Sequence, residues 1–212
     1  MKTPAAGSDI ATRWQAAASP GGLIGVLGIV LSLVLAGGSL ALITGHTSLP
    51  IPTVISWLAL LGFLALVVAL AYLVYGYVTI TYEFSPETLK IRWASQEHLI
   101  DLASIQQILP AIDRLGDNPG RWRRFWTGYY VGSEIGPSGP VTIVATLPVR
   151  RQLLIVTADR QFAISPDRPV LFVEEYGRLR QALDYARTGE SSDADVDVSV
   201  ERLAKAGWTM QY

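Results

Sequence analysis

Two blocks of the chain have no polar face. Leu23–Thr44, LIGVLGIVLSLVLAGGSLALIT, and Val54–Tyr75, VISWLALLGFLALVVALAYLVY, are apolar in every direction around a helical axis. About 20 such residues of helix cross a hydrocarbon core, and each block reaches that length. Between them lies GHTSLPIPT, where Gly45, Pro50 and Pro52 break both helices and make a tight turn. The pattern predicts a transmembrane helical hairpin. A cleaved signal peptide has an apolar region of only about 7–15 residues, shorter than the first block.

Beyond Gly76 the period changes from helical to two. Tyr77–Phe84, YVTITYEF, and Thr88–Trp93, TLKIRW, alternate around the turn Ser85-Pro86-Glu87 and predict a β-hairpin. His98–Leu102 and Ser104–Leu109 predict two further strands, although Leu102, Ile105 and Leu109 would also suit a helical turn. Residues 110–140 are rich in Gly, Pro and charge and read as one long loop. Val141–Leu147, Gln152–Thr157 and Gln161–Ser165 predict three more strands. Their links, PVRR and ADR, are short enough for antiparallel hairpins. Phe172, Tyr176, Leu179 and Leu183 then fall on one stripe of an amphipathic helix. Asp167 and Pro169 mark its start and Gly189 its end.

The resulting organisation is an N-terminal arm (1–20), a helical hairpin (21–78, spans about 23–44 and 54–75), a β-rich domain (79–188) and an acidic tail (189–212). The tail begins with a linker composition, GESSDADVD, and closes on an apolar group around Val200, Leu203, Trp208 and Tyr212.

Charge sharpens this division. From Trp14 to Tyr82 there is no Asp, Glu, Lys or Arg, although the whole chain of 212 residues carries a formal net charge of −1. Lys2 and Arg13 precede the first span, Lys90 and Arg92 follow the second, and the turn between them has no basic residue. Basic flanks stay inside, so both termini and the β-rich domain are expected at the cytoplasmic face of the cell membrane. Trp57 lies near one end of the spans, and Tyr72, Tyr75 and Tyr77 near the other, where aromatic belts form.

Small residues recur along the first span at Gly21, Gly25, Gly28, Ser32 and Ala36, and along the second at Ala59, Gly62, Ala65 and Ala69. Such stripes let helix backbones approach closely. Packing within the hairpin and association of two copies both use a stripe of this kind.

Little in the chain suggests chemistry. It has no cysteine and only two histidines, His46 and His98, so thiolate sites are excluded and no metal-ligand spacing is present. Glu174 and Glu175 are adjacent on a helix and read as a solvated face. The glycine-rich GSEIGPSGP (Gly132–Pro140) matches neither a P-loop nor a dinucleotide fingerprint. No enzyme activity, cofactor or metal is expected.

One stretch stands apart: Gly120–Tyr130, GRWRRFWTGYY. Arg121, Arg123 and Arg124 are interleaved with Trp122, Trp126, Tyr129 and Tyr130. The near-neutral β-rich domain argues against nucleic acid. Beside a membrane, the arginines suit anionic headgroups and the aromatics suit the interfacial layer. The same aromatics could instead fill the mouth of a β-barrel, and a protein partner would also suit the stretch.

The segments YEFSPETLKIRW, IDLASIQQI, TGYYVG and VATLPVRRQLLIVTADRQFAISPDRPVLF together resemble the pleckstrin-homology-like (PH-like) domains of bacterial membrane proteins. The resemblance runs from Tyr82 to about Leu183. It implies an α+β architecture, with the transmembrane helical hairpin followed by a seven-stranded antiparallel β-sandwich or partly open barrel capped by a C-terminal helix. Phosphoinositide-binding members of the wider fold carry basic residues at the end of the first strand and in the second. Here Lys90 and Arg92 lie in the second strand, but YVTITYEFSPE has no basic residue, which argues against such a pocket.

The expected role is that of a membrane-anchored interaction or regulatory module, without catalysis, whose PH-like domain binds a protein or lipid surface. The alternative is an accessory subunit that meets a membrane transporter or enzyme complex through its hairpin. The expected partners are the lipid bilayer, an unknown membrane or cytoplasmic protein and a second copy of the chain, with no nucleic acid.

Overall fold

The computed structural model describes residues 12–45, 53–116, 124–126, 128–136 and 139–188. Its elements, in chain order, are β1 (Thr12–Gln15), α1 (Gly21–Ile43), α2 (Thr53–Val78), β2 (Thr81–Phe84), β3 (Thr88–Trp93), β4 (Gln96–Asp101) and β5 (Ile105–Pro110). They continue as α3 (Ala111–Leu115), β6 (Arg124–Trp126), β7 (Tyr129–Gly136), β8 (Gly139–Ala145), β9 (Leu153–Thr157), β10 (Gln161–Ile164) and α4 (Pro169–Thr188). The chain forms two compact units: Pro20–Thr79, and the described residues on either side of it.

The helical unit is α1 packed on α2. Every buried residue of α1 is small: Gly21, Gly25, Ser32, Ala36 and Ser39. Ser32 and Ser39 donate to Gly28 O (2.8 Å) and Leu35 O (3.0 Å) on their own helix, so no buried hydroxyl is wasted. Across from them α2 sets half-buried residues at Leu60, Phe63, Val67, Leu70, Val74 and Tyr77. A Cβ added at Gly28 would come within 3.2 Å of Leu70 Cδ1. Gly62, Ala65 and Ala69 of α2 lie outside this seam and are exposed. Most remaining apolar side chains also point outward, including Leu23 (64% exposed), Val54 (70%) and Val68 (70%). A soluble core helix would hide them.

In helix α2 the residues Tyr77 and Val78, expected in the first strand, remain helical. Gly76 is followed by no breaker, and the helix ends at Thr79, whose hydroxyl donates to Tyr75 O at 2.8 Å.

The other unit holds two sheets that do not close into a barrel: β1-β2-β3-β4, and β5-β9-β10-β8-β7-β6. All seven predicted strands are present, and three more join them: β1, β6 and β7. The segment 110–140 is therefore not one long loop. It holds α3 and the two strands β6 and β7, and GSEIGPSGP belongs to the β7–β8 hairpin, whose register runs from Tyr130↔Ala145 to Gly136↔Gly139. The fold also departs from all-antiparallel pairing. The ADR link does join an antiparallel pair, β9–β10, but β8 runs parallel to β10 (Val141↔Gln161, Val144↔Ile164). The PVRR segment is thus not a hairpin. It contains a turn of 3-10 helix at Val149–Arg151 that carries the chain past β10 so that β9 pairs with β5 on the far side.

Strands β9 and β10 are almost wholly buried because both faces of the larger sheet are covered. On one face Ala111, Leu115 and Val149 pack with Leu109, Val141, Ile143, Leu154 and Val156. On the other, the Tyr82 hydroxyl reaches Val144 O (2.8 Å) and the His98 ring lies 5.8 Å from that of Phe162. The smaller sheet alternates cleanly: Tyr82, Phe84, Leu89, Ile91 and Ile100 point inward, while Glu83, Lys90, Arg92, Glu97 and Leu99 lie on the opposite face. Phe172 of α4 fills the centre, with ring centroids 5.9 Å from Trp14, 6.3 Å from Tyr82 and 4.6 Å from Phe84.

Candidate functional site

The site begins at the segment that leads into α1. Strand β1 precedes both apolar helices, yet it pairs with β2, which follows them: Arg13↔Glu83, Trp14↔Tyr82, Gln15↔Thr81. The helical hairpin is therefore an insertion between two bonded strands. Past β1, the chain clamps onto the segment between β10 and α4. Ala17 N donates to Ser165 O (2.8 Å), Asp167 N donates to Gln15 O (3.0 Å), and Ala16 bridges Pro166. Thr146 Oγ1 donates to Ala17 O at 2.6 Å, and its own N–H donates to Ser165 Oγ at 2.8 Å. Thr12 adds a bond from its hydroxyl to Glu175 of α4 (3.2 Å). Glu175, expected on a solvated face, thus joins the first strand to the last helix and also pairs with Arg178 (2.6 Å).

Tyr82 lies at the middle of this network. It donates to Val144 O and accepts from Ser165 N (3.2 Å). Burial pushes its phenol far above the ordinary value, and the bonds to Ser165 pull only weakly the other way. The hydroxyl stays protonated and acts as a structural donor.

One residue before Pro20, the Ser19 hydroxyl donates to Gly128 O at 2.7 Å. Gly128 (φ +85°) is part of the turn between β6 and β7, a backbone region that suits glycine. The turn belongs to the arginine-aromatic stretch, so that stretch is pinned beside the entry to α1. Of its expected interface residues, Arg121, Trp122 and Arg123 lie outside the described residues. Arg124 and Trp126 form the ends of edge strand β6, opposite Tyr130 and Tyr129. Tyr129 requires a correction. It is fully buried, and its hydroxyl accepts from Trp93 Nε1 (2.5 Å), so it cannot face a membrane or a partner. Tyr130 is half-buried and packs against the core of the larger sheet. These two tyrosines follow the interior-filling reading of the stretch.

Residues 80–180 match the family model of the bacterial PH domain. No curated protein and no solved structure gives a significant match. The matched region begins with β2 and ends within α4, so β1 lies outside it although it completes the PH domain's smaller sheet.

The basic residues of the PH domain's second matched strand are occupied. Lys90 and Arg92 both reach Glu97 on the neighbouring strand, at 3.2 and 2.7 Å. They lie on the outer face of the smaller sheet, and Arg13 pairs with Glu83 there at 3.4 Å. The Lys90 ammonium, seconded by Arg92, holds the Glu97 carboxyl below the usual range. His98 is half-buried on the inner face, where desolvation, and then the positive charge of Arg160, favour its neutral form. Among the described residues no group of three or more His, Cys, Asp or Glu could hold a metal ion.

Sequence reading missed β1 and the clamp. The signal was present but slight: Thr12-Arg13-Trp14-Gln15 alternates over only four residues, and nothing local says that its partner lies beyond two helices.

Proposed function

We propose that this chain is a membrane-anchored, non-catalytic interaction module. The α1–α2 hairpin spans the bilayer, and the PH domain works at the cytoplasmic face, where it binds a protein or lipid surface. The observation that carries this reading is the pairing of β1 with β2 around two helices of 23 and 26 residues whose apolar side chains face outward. At 1.5 Å per residue such helices are about 35–39 Å long, enough for a hydrocarbon core of about 30 Å. An inserted hairpin holds the domain at both ends, as suits a module that acts only beside the membrane. Lys2 and Arg13 before α1, and Lys90 and Arg92 after α2, support the cytoplasmic placement.

A second reading makes the hairpin the contact surface of an accessory subunit. The exposed small residues Gly62, Ala65 and Ala69 on α2 favour it, since a Cβ at Gly62 would meet nothing within 4 Å.

Alkaline carbonate extraction of membranes, with reporters fused at the C-terminus and within residues 46–52, tests the anchoring. Retention in the pellet, a cytoplasmic C-terminus and an external turn are expected. A chain released into the supernatant would overturn the reading. Crosslinking in intact membranes then separates the two roles: neighbours held through the PH domain support the module, and neighbours lost on replacing α2 with polyleucine support the subunit.

A further inference from the structure

The end of the larger sheet from which the chain leaves for α1 also gathers positive charge. The pairings Tyr130↔Ala145, Val144↔Ile164 and Ile164↔Leu153 bring the ends of β8 and β10 and the starts of β7 and β9 to one side. The clamp residues bond at this same end, Ala17 to Thr146 and Ser165, and Ser19 to Gly128. The connecting segments here carry Arg150, Arg151 and Arg168, all exposed, against one exposed acid, Asp167. Arg124 ends the edge strand whose turn Ser19 holds. On α3, which also starts at this end, Asp113 and Arg114 cancel. At the opposite end of the sheet, the β9–β10 turn balances Asp159 with Arg160.

We propose that Arg150, Arg151 and Arg168, with the β6–β7 turn, rest on the anionic headgroups of the leaflet that α1 enters. The proposal deepens the membrane-anchored reading and depends on it. Two features select a lipid surface over a soluble ligand. Ser19 is separated from the first residue of α1 only by Pro20, so the charge lies where the chain must meet the bilayer. The arginines also sit on separate convex segments, an arrangement that spreads over many headgroups and does not enclose a single one. Each arginine near an anionic surface contributes enough that three together bias docking about a hundredfold at low salt. The surface is distinct from the Lys90–Arg92 pair, whose charge Glu97 neutralises.

Because the chain has no cysteine, one probe can be placed at will. The full chain carrying Pro148→Cys, labelled with a fluorophore, is reconstituted into vesicles of phosphatidylcholine alone or mixed with phosphatidylserine. Quenching by headgroup nitroxide lipid is then read. Stronger quenching is expected with phosphatidylserine, and it should be lost on adding salt or in Arg150→Glu/Arg151→Glu/Arg168→Glu. The triple glutamine variant should fall between, which guards against a folding defect of the charge reversal. A probe at Ile135→Cys, on the far turn of β7, should ignore the lipid. Equal quenching in the two vesicles, indifference to the triple change, or a lipid response at Ile135 instead of Pro148 would each overturn the proposal. Flotation of the same samples reports anchoring separately, so failure to enter vesicles at all is distinguishable from failure to dock.

Discussion

Trp14, before the apolar helices, packs edge-on against Phe172 of α4, with ring centroids 5.9 Å apart at 75°. That contact makes the first strand part of the PH domain's interior, and a cost follows. Truncating a packed aromatic typically costs about 3–5 kcal/mol. Trp14 is half-buried, so Trp14→Ala should cost about 3 kcal/mol, at the lower end of that range. Phe172 is fully buried, and Phe172→Ala should cost about 4 kcal/mol or more. Leu99→Ala, at a position 66% exposed, should stay within about 0.5 kcal/mol. Thermal unfolding of the full chain in detergent ranks the three. If Trp14→Ala behaved like Leu99→Ala, β1 would not belong to the folded unit.

The same topology predicts how a water-soluble domain must be cut. Residues 80–188 cover the whole family match but leave β2 without its β1 neighbour and Ser165 without Ala17. This fragment should unfold at markedly lower denaturant than residues 12–19 joined by a short glycine linker to 80–188. Gln15 and Thr81 are direct partners, so a linker needs to span only a strand-to-strand distance of about 5 Å at that point, plus the clamp residues. Urea titration followed by tryptophan fluorescence compares them. Equal midpoints would show that the clamp contributes nothing.

The legible part of this fold is the part with local period. Two uninterrupted apolar blocks predicted two helices, and seven runs of alternation predicted strands that the structure contains. What escaped depends on distant partners. Strand β1 has four residues and is stabilised by β2 across the inserted helices. The parallel β8–β10 pair is set by how β9 threads to β5, a matter of order that the short PVRR link disguised as a hairpin. In the candidate site, the aromatic density of GRWRRFWTGYY was visible, but composition alone could not assign Tyr129 to the interior. Its partner, Trp93, lies on another sheet.

The PH domain should lose stability on mild acidification. His98 packs beside Phe162, and burial followed by Arg160 lowers its pKa from the ordinary 6.5. The unfolded chain therefore takes up a proton more readily than the folded one. The contribution is present above pH 6.5 and is lost as pH falls through the folded value, below it. Glu97 acts at lower pH with the same sign: its folded pKa lies below 4.5, so its share is lost on further acidification. Urea midpoints of the linked soluble domain between pH 7.5 and pH 5.5 should fall, and His98→Gln should flatten that slope. An unchanged slope in the variant would assign the effect to other groups.

Close approach of the helices predicts a specific compensation. A Cβ at Gly22 would lie 2.8 Å from Tyr77 Cε1, nearer than real contacts allow. Gly22→Val must therefore displace the tyrosine ring or part the helices, and the hairpin should be destabilised by about 1–3 kcal/mol, as for overpacked cores. Tyr77→Ala removes the obstacle, at the cost of its own packing. In Gly22→Val/Tyr77→Ala the valine occupies part of the vacated space, so the double variant should be more stable than the sum of the single losses by about 1 kcal/mol. Thermal denaturation of the four chains in one detergent, followed by helical circular dichroism, completes the cycle. Strict additivity would mean that Gly22 and Tyr77 do not meet, and that α1 and α2 pack through a different seam.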